Sequence, residues 1–180
     1  MGTLVLSGAT SGTTTLTPTD AVTTTVTFPS LGGTAMVSGN MPAFSAYANA
    51  GTSCASATYT KVAFQVKEFD TANAFDNTTN YRFQPTVAGY YQVNLTLVWS
   101  TAASGYGIST IFKNGLEFKR GSGNAFIAAN NISCVTSAII YLNGSTDYIE
   151  GYAYQATGGS LSTFSGLAYD YFQAVMVRAA

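Results

Sequence analysis

From residue 42 onward, apolar and polar side chains alternate in short runs. The strongest run is 89–100 (GYYQVNLTLVWS), where Tyr91, Val93, Leu95, Leu97 and Trp99 fall on one face. Strict alternation is the mark of a strand with one buried side. The same pattern predicts strands over 42–49 (PAFSAYAN), 60–69 (TKVAFQVKEF, with Val62, Phe64 and Val66 on one side), 81–83 before Pro85, and 171–177 (YFQAVMV). Runs 108–112 and 116–119 flank Lys113-Asn114-Gly115. Asn-Gly between alternating runs predicts a tight hairpin, because both residues tolerate positive φ. Runs 132–142 and 148–155 flank Asn143-Gly144-Ser145-Thr146-Asp147, which predicts a longer hairpin. No segment carries a convincing helical period. About eight strands joined by hairpins and long connections predict an all-β two-sheet sandwich or jelly roll.

Residues 1–40 read differently from 41–180. They are rich in Thr, Gly and Ser, with Asp20 the only ionisable side chain. Thr13-Thr14-Thr15-Leu16-Thr17-Pro18 is echoed by Thr23-Thr24-Thr25-Val26-Thr27-Phe28-Pro29. Each unit ends at a proline, which cannot donate to a continuing ladder. Leu16, Val26 and Phe28 fall in step as the positions on which such an arm would pack. One copy has too little to bury, whereas two or three chains wound together would share a core. A flexible Thr/Gly linker is the alternative reading.

Composition narrows the chemistry. Charged residues are 8% of the chain and apolar residues 47%, against roughly 25% charged in an ordinary domain. So sparse a charge must be balanced by Thr, Ser, Asn and Gly at the surface, or by surfaces covered by other subunits. With no His, Ser-His-Asp and Cys-His nucleophile systems and His-ligated metals are excluded. A net charge of -1 gives no basic footprint for nucleic acid or an anionic membrane. No apolar run reaches the roughly 20 residues of a helical span, so no membrane insertion is expected. The N-terminus lacks a basic leader segment, so no secretory signal is expected. Asn77, Asn94, Asn131 and Asn143 stand in Asn-x-Ser/Thr triplets, read as accidents of an Asn/Thr-rich chain. Cys54 and Cys134 fit neither a zinc nor a redox spacing and are expected to be unpaired buried thiols, with a single disulfide between them as the alternative. Glu68 and Asp70, two apart on a predicted strand, are the pair a glycosidase would need, but read more simply as a solvated strand end. Asp70, Asp76 and Asp147 are candidate calcium ligands without a clustered acidic loop. No catalytic residue, metal or cofactor is expected.

Tyr91, Val93, Leu95, Trp99 and Phe172 are read as core or subunit interface. Recognition is expected on loops. The small-residue loops 100–107, 121–131 and 156–166 carry Tyr106, Phe126 and Phe164, with Asn130 beside them. These four are the candidate ligand-binding residues, suited to stacking on a sugar with hydrogen bonds alongside. The alternative is that each ring plugs its own loop.

The stretch 75–97 carries Phe75, Asn77 or Asn80, and then Phe83, Pro85, Gly89, Tyr91, Val93 and Leu95 in the order F-x-P-x-x-x-G-Y-Y-x-V. This resembles the C1q-like domain of the C1q/TNF class. Lys113-Asn114-Gly115 is similar to that family's K-N-G turn, and Leu142-Asn143-Gly144-Ser145-Thr146-Asp147-Tyr148 to its L-x-x-G-D-x-V segment. The likeness covers roughly 42–178 of the chain, although the last strand lacks the family's Phe-Ser-Gly-Phe ending. It implies a homotrimeric jelly roll. The Thr-rich arm resembles arms of bacteriophage virion proteins. Together these imply a non-enzymatic protein, made in the host cytoplasm and displayed on the virion surface. It would be a short tail fibre or fibre tip recognising a host surface glycan, with residues 1–40 docking to other virion proteins. The alternative is a capsid decoration protein at threefold positions.

Overall fold

Residues 4–7, 11–16, 36–37, 39, 41–128 and 130–180 are described in the structure, a computed structural model. The chain divides into two compact units, Met1–Gly33 and Thr34–Ala180. In the first, β1 (Leu4–Ser7) pairs antiparallel with β2 (Thr13–Leu16), placing Leu4 opposite Leu16. The other two arm-packing positions, Val26 and Phe28, lie outside the described residues.

The second unit contains, in chain order, β3 (Ala43–Tyr47), β4 (Ser53–Cys54), β5 (Thr60–Lys61), β6 (Val66–Asp70), β7 (Phe75–Asp76), β8 (Arg82–Phe83) and β9 (Gly89–Trp99). There follow β10 (Tyr106–Lys113), β11 (Leu116–Arg120), β12 (Asn124–Ala125), β13 (Ile132–Leu142), β14 (Ile149–Gln155), β15 (Leu161–Ser162) and β16 (Tyr171–Ala179). One sheet has five strands in the order β13-β9-β16-β3-β6. The other has seven, ordered β11-β10-β14-β8-β7, with β12 also on β10 and β5 also on β14. A short pair, β15-β4, lies apart from both sheets' ladders. Every pairing is antiparallel. The expected all-β sandwich is therefore what the chain forms.

Between the sheets lies one apolar core. Tyr91, Val93, Leu95, Leu97, Trp99 and Phe172 are all fully buried in it. Read as core or interface from sequence, the named strand residues are core of a single chain. Phe44 stacks on Phe75 at 4.6 Å and on Phe83 at 4.5 Å, and meets Phe172 edge-on at 5.2 Å. Each buried ring contributes on the order of 1.5–3 kcal/mol. The Tyr91 hydroxyl donates to the Val87 carbonyl at 2.7 Å, so its polar end is satisfied inside. Gly151 allows this packing: a Cβ there would lie 2.9 Å from Phe64 Cε2 and 3.0 Å from Leu95 Cδ1. Gly151→Ala is expected to cost about 1–3 kcal/mol by overpacking, read as a lower urea midpoint with unchanged slope.

The tight hairpin is present. Lys113 pairs with Leu116, and Asn114 and Gly115 take φ of 54° and 78°, the two-residue turn that matches strand twist. Two other expectations need correction. The run 60–69 is two strands, since β5 pairs with β14 in one sheet and β6 with β3 in the other. Val62 and Phe64 keep the alternation because both are buried where the chain passes between sheets; such strand switches make sandwich corners. Likewise 143–147 closes no hairpin, because β13 pairs with β9 and β14 with β10, β8 and β5. It is a corner held by side chains. Asn143 Oδ1 accepts from the N–H groups of Ser145, Thr146 and Asp147. Asp147 accepts from the Asn143 N–H and from Asn114, and pairs with Lys113 at 2.9 Å. Both cysteines are unpaired and buried, as their spacing led us to expect, and burial pushes each thiol up to about 11.

Candidate functional site

Each sheet buries one face, so the two outer faces carry what the molecule can offer a partner. On the five-stranded sheet, register sets Ser137, Asn94, Gln173 and Ser45 side by side across β13, β9, β16 and β3. This polar row is bonded to itself. Ser137 Oγ donates to Asn94 Oδ1 at 2.8 Å, and Gln92 Nε2 to Ser137 Oγ at 2.9 Å. Gln173 Nε2 donates to Ser45 Oγ at 3.0 Å, which donates to Glu68 Oε2 at 2.6 Å. On one side of it stand Val135, Thr96, Tyr171 and Tyr47; on the other, Ile139, Gln92, Val175 and Ala43. Ile139 is 59% and Val175 43% exposed, and Val177 and Phe69 are exposed too. Tyr90 and Tyr141 pair at 5.5 Å beyond them. A depression of ≈ 220 Å³ opens among Phe69, Asn94, Gln173 and Val175. Covering a polar group costs most when it loses hydrogen bonds to water without replacement. Here the hydroxyl and amide groups are already paired, so they can be covered by another surface at little cost, with the exposed Glu68 carboxylate left at the wet rim.

The edge of the sandwich beside this face is also apolar. Leu116 and Phe118 on β11 and Val135 and Ile139 on β13 are exposed. Sequence reading missed these residues. The signal was present in β13 (ISCVTSAIIYL), which is apolar on both parities, as no strand with a solvated face needs to be.

The outer face of the seven-stranded sheet carries a row of rings. Tyr106 lies 6.0 Å from Tyr154, Tyr154 4.9 Å from Tyr59, Tyr59 5.3 Å from Phe112, and Phe112 stacks on Tyr152 at 3.9 Å. β10 and β14 present these residues because Ile108, Thr110 and Phe112 oppose Tyr154, Tyr152 and Glu150. Buried Glu150 beneath the row is paired with Lys61. Arg120 Nε donates to Glu117 at 2.6 Å and Nη2 to the Tyr59 hydroxyl at 2.5 Å. Arg120 holds the Glu117 carboxyl below the usual range.

The four sequence-predicted ligand residues are not brought together on one surface. Tyr106 opens β10 rather than sitting in a loop, is 41% exposed, and belongs to the ring row. Phe126 requires correction: it is 5% exposed, with its ring edge-on to Trp99 at 6.2 Å. Ala125 opposes Tyr106, so the next residue turns to the opposite face and closes the end of the core. Asn130 is exposed, and its N–H donates to the Ile127 carbonyl at 3.1 Å. Phe164 is half-buried against Tyr169 at 5.5 Å, with its N–H on the Val98 carbonyl.

The acids are spent locally. Asp70 accepts from the N–H groups of Ala74 and Phe75, and Asp76 from those of Thr78, Thr79 and Asn80. These backbone bonds hold the Asp76 carboxyl far below its ordinary range. Glu68 sits at the bulge between β3 and β6, so it does not share Asp70's place in the alternation. Among the described residues no three His, Cys, Asp or Glu side chains come together as a metal would need.

This strand order and these crossovers define a TNF-like jelly roll. Murine APRIL at pH 5.0 superposes with a TM-score of 0.57 at 11% identity, over 76% of this chain and 99% of that one. Murine APRIL at pH 8.0 gives 0.55 at 13%, over 76% and 99%. Eiger TNF from S. frugiperda gives 0.54 at 10%, over 78% and 93%. At such identities the likeness is one of fold. No protein-family model matches the chain, and no curated protein matches it in sequence.

Proposed function

We propose that this chain is a non-enzymatic homotrimer on a bacteriophage virion, a short tail fibre or fibre tip that recognises a glycan on the host surface. The observation that carries the assembly is the five-stranded outer face, whose polar row is self-paired and whose flanking rows expose Val135, Ile139 and Val175. The exposed Leu116 and Phe118 on the β11 edge supply a complementary surface. Edge of one copy against face of the next is a heterologous contact that closes into a ring. An interface on the order of 2,000 Å² or more is what an obligate assembly of this kind buries. Support for the virion reading is the Thr-rich character of residues 1–40, which would dock to other particle proteins. Glycan contact falls to the ring row through Tyr106, and threefold display multiplies a weak sugar contact.

Mass photometry of the purified protein is expected to show three times the 18.8 kDa chain; monomers would remove the proposal's basis. Purified protein is expected to block particle adsorption to host cells. Tyr106→Ala should weaken that block while leaving the melting temperature unchanged. Undiminished competition by Tyr106→Ala would remove the ring row from recognition. Particles carrying hundreds of copies, with capsids weakened on their loss, would instead establish the decoration role.

A further inference from the structure

The structure assigns a second recognition site, at the β7–β8 end of the seven-stranded sheet and built from other residues than the ring row: a groove lined chiefly by 67–86 that takes the carboxylate of an acidic saccharide on Arg82. The groove measures ≈ 470 Å³, and its wall sets the amides and hydroxyls of Asn73, Asn77, Gln84 and Thr86 beside the charges of Lys67, Asp76 and Arg82. Such a lining offers donors and acceptors together, as sugar hydroxyls require.

Arg82 is the exceptional group. Its guanidinium lies over the Tyr148 ring, Cζ 4.4 Å from the centroid. Contact with the ring holds the guanidinium in place and leaves its N–H groups free to act, and Arg grips a carboxylate through two parallel bonds. Among the described residues no hydrogen-bond or ion-pair partner meets those groups. Partners were within reach of the register, since Asp76 and Glu150 both stand opposite Arg82. Neither is used. Asp76 is turned into the following turn, where Thr78, Thr79 and Asn80 supply five donors to its oxygens. Glu150 is taken by Lys61. Lys67, the other cation on the wall, is held by Asp70 at 3.3 Å and Asn73 at 3.4 Å. The chain thus keeps one planar cation stacked and unspent at the wall of a sugar-sized polar groove. A carboxylate from outside completes it, and the bonding capacity that Asn77 and Gln84 keep beyond their bonds to the Gln65 and Ser145 carbonyls takes the adjoining hydroxyls.

This goes beyond the assembly and the ring row and does not depend on either. Titration calorimetry with an oligogalacturonate, against a neutral galacto-oligosaccharide of equal length, tests it. The acidic oligomer is expected to bind and the neutral one to bind far more weakly. Arg82→Gln should weaken the acidic oligomer roughly tenfold or more, the loss of a charge-assisted pair, with an unchanged melting temperature. Arg82→Lys should recover only part, because an ammonium lacks the fork. Excess inorganic phosphate should compete poorly. Equal affinity for both oligomers, unchanged binding by Arg82→Gln, or full displacement by phosphate would each overturn the site. Loss of binding in Tyr106→Ala but not in Arg82→Gln would move the ligand to the ring row and equally overturn it.

Discussion

Val175→Arg is expected to turn the proposed trimer into folded monomers. Val175 stands in the middle of the five-stranded outer face, opposite Gln92 and Ala43, with its side chain outside the core. A monomer therefore accommodates the longer side chain in water. At a covered face the same guanidinium is an unpaired buried charge, which costs several kcal/mol. Repeated around a closed ring, that cost exceeds what an interface of this size holds in reserve. Light scattering should give the mass of one chain, and circular dichroism an unchanged strand spectrum. The melting temperature should fall and become independent of concentration, as linkage requires. Thr58→Arg, on an exposed turn away from this face, should leave the assembly intact. A trimer that survives Val175→Arg would place the contact elsewhere.

The second large effect concerns Asp170. This carboxyl is fully buried where the 166–170 turn enters β16. Its Oδ1 accepts from the Val98 N–H at 2.8 Å, while Oδ2 has no partner. Burial raises its pKa to about 6, with the hydrogen bond from the Val98 N–H offsetting only part. A carboxyl whose pKa is higher folded than unfolded binds more protons in the native state between the two values. Stability from this group is therefore greatest below about pH 4 and is lost as pH rises through about 6. The loss amounts to roughly 3 kcal/mol. Asp76 and Asp147 act in the opposite sense, since their lowered values withdraw stability only as pH falls below the ordinary carboxyl range. The windows hardly overlap. Urea midpoints should rise as pH falls from 7 towards 4.5, then fall in stronger acid. In Asp170→Asn the rise should vanish and the acid fall remain. A wild-type midpoint that is flat from pH 7 to 4.5 would show that Asp170 is not held in this state.

What the sequence disclosed followed from how local each determinant is. The alternation of 89–99 was readable because one face of β9 meets nothing but core. The Asn114-Gly115 turn was readable because its positive φ values restrict residue type at two adjacent positions. The strands at 60–69 and the corner at 143–147 were misassigned for a shared reason. Alternation reports which side is buried, not which strand lies alongside, so a run that changes sheets looks like one that continues. Asn143 and Asp147 carry the same turn chemistry whether the chain folds back or crosses over. The candidate site was harder still. Tyr106 and Phe126 look alike in sequence, and only the pairing of Tyr106 with Ala125 sends them to opposite sides. Arg82 has no local signal at all, because its stacking on Tyr148 and the diversion of Asp76 and Glu150 are tertiary facts.

The central strand β9 has β13 on one side and β16 on the other. Gly89 waits for Leu142 and for Ala179, at the far end of the chain. During synthesis the backbone edge of β9 that faces β16 thus stays unpaired until residues 171–179 have been made. Structure of such long sequence separation forms slowly and leaves sticky intermediates. Fragments ending before residue 171 lack β16 and leave that edge of β9 open, which invites aggregation.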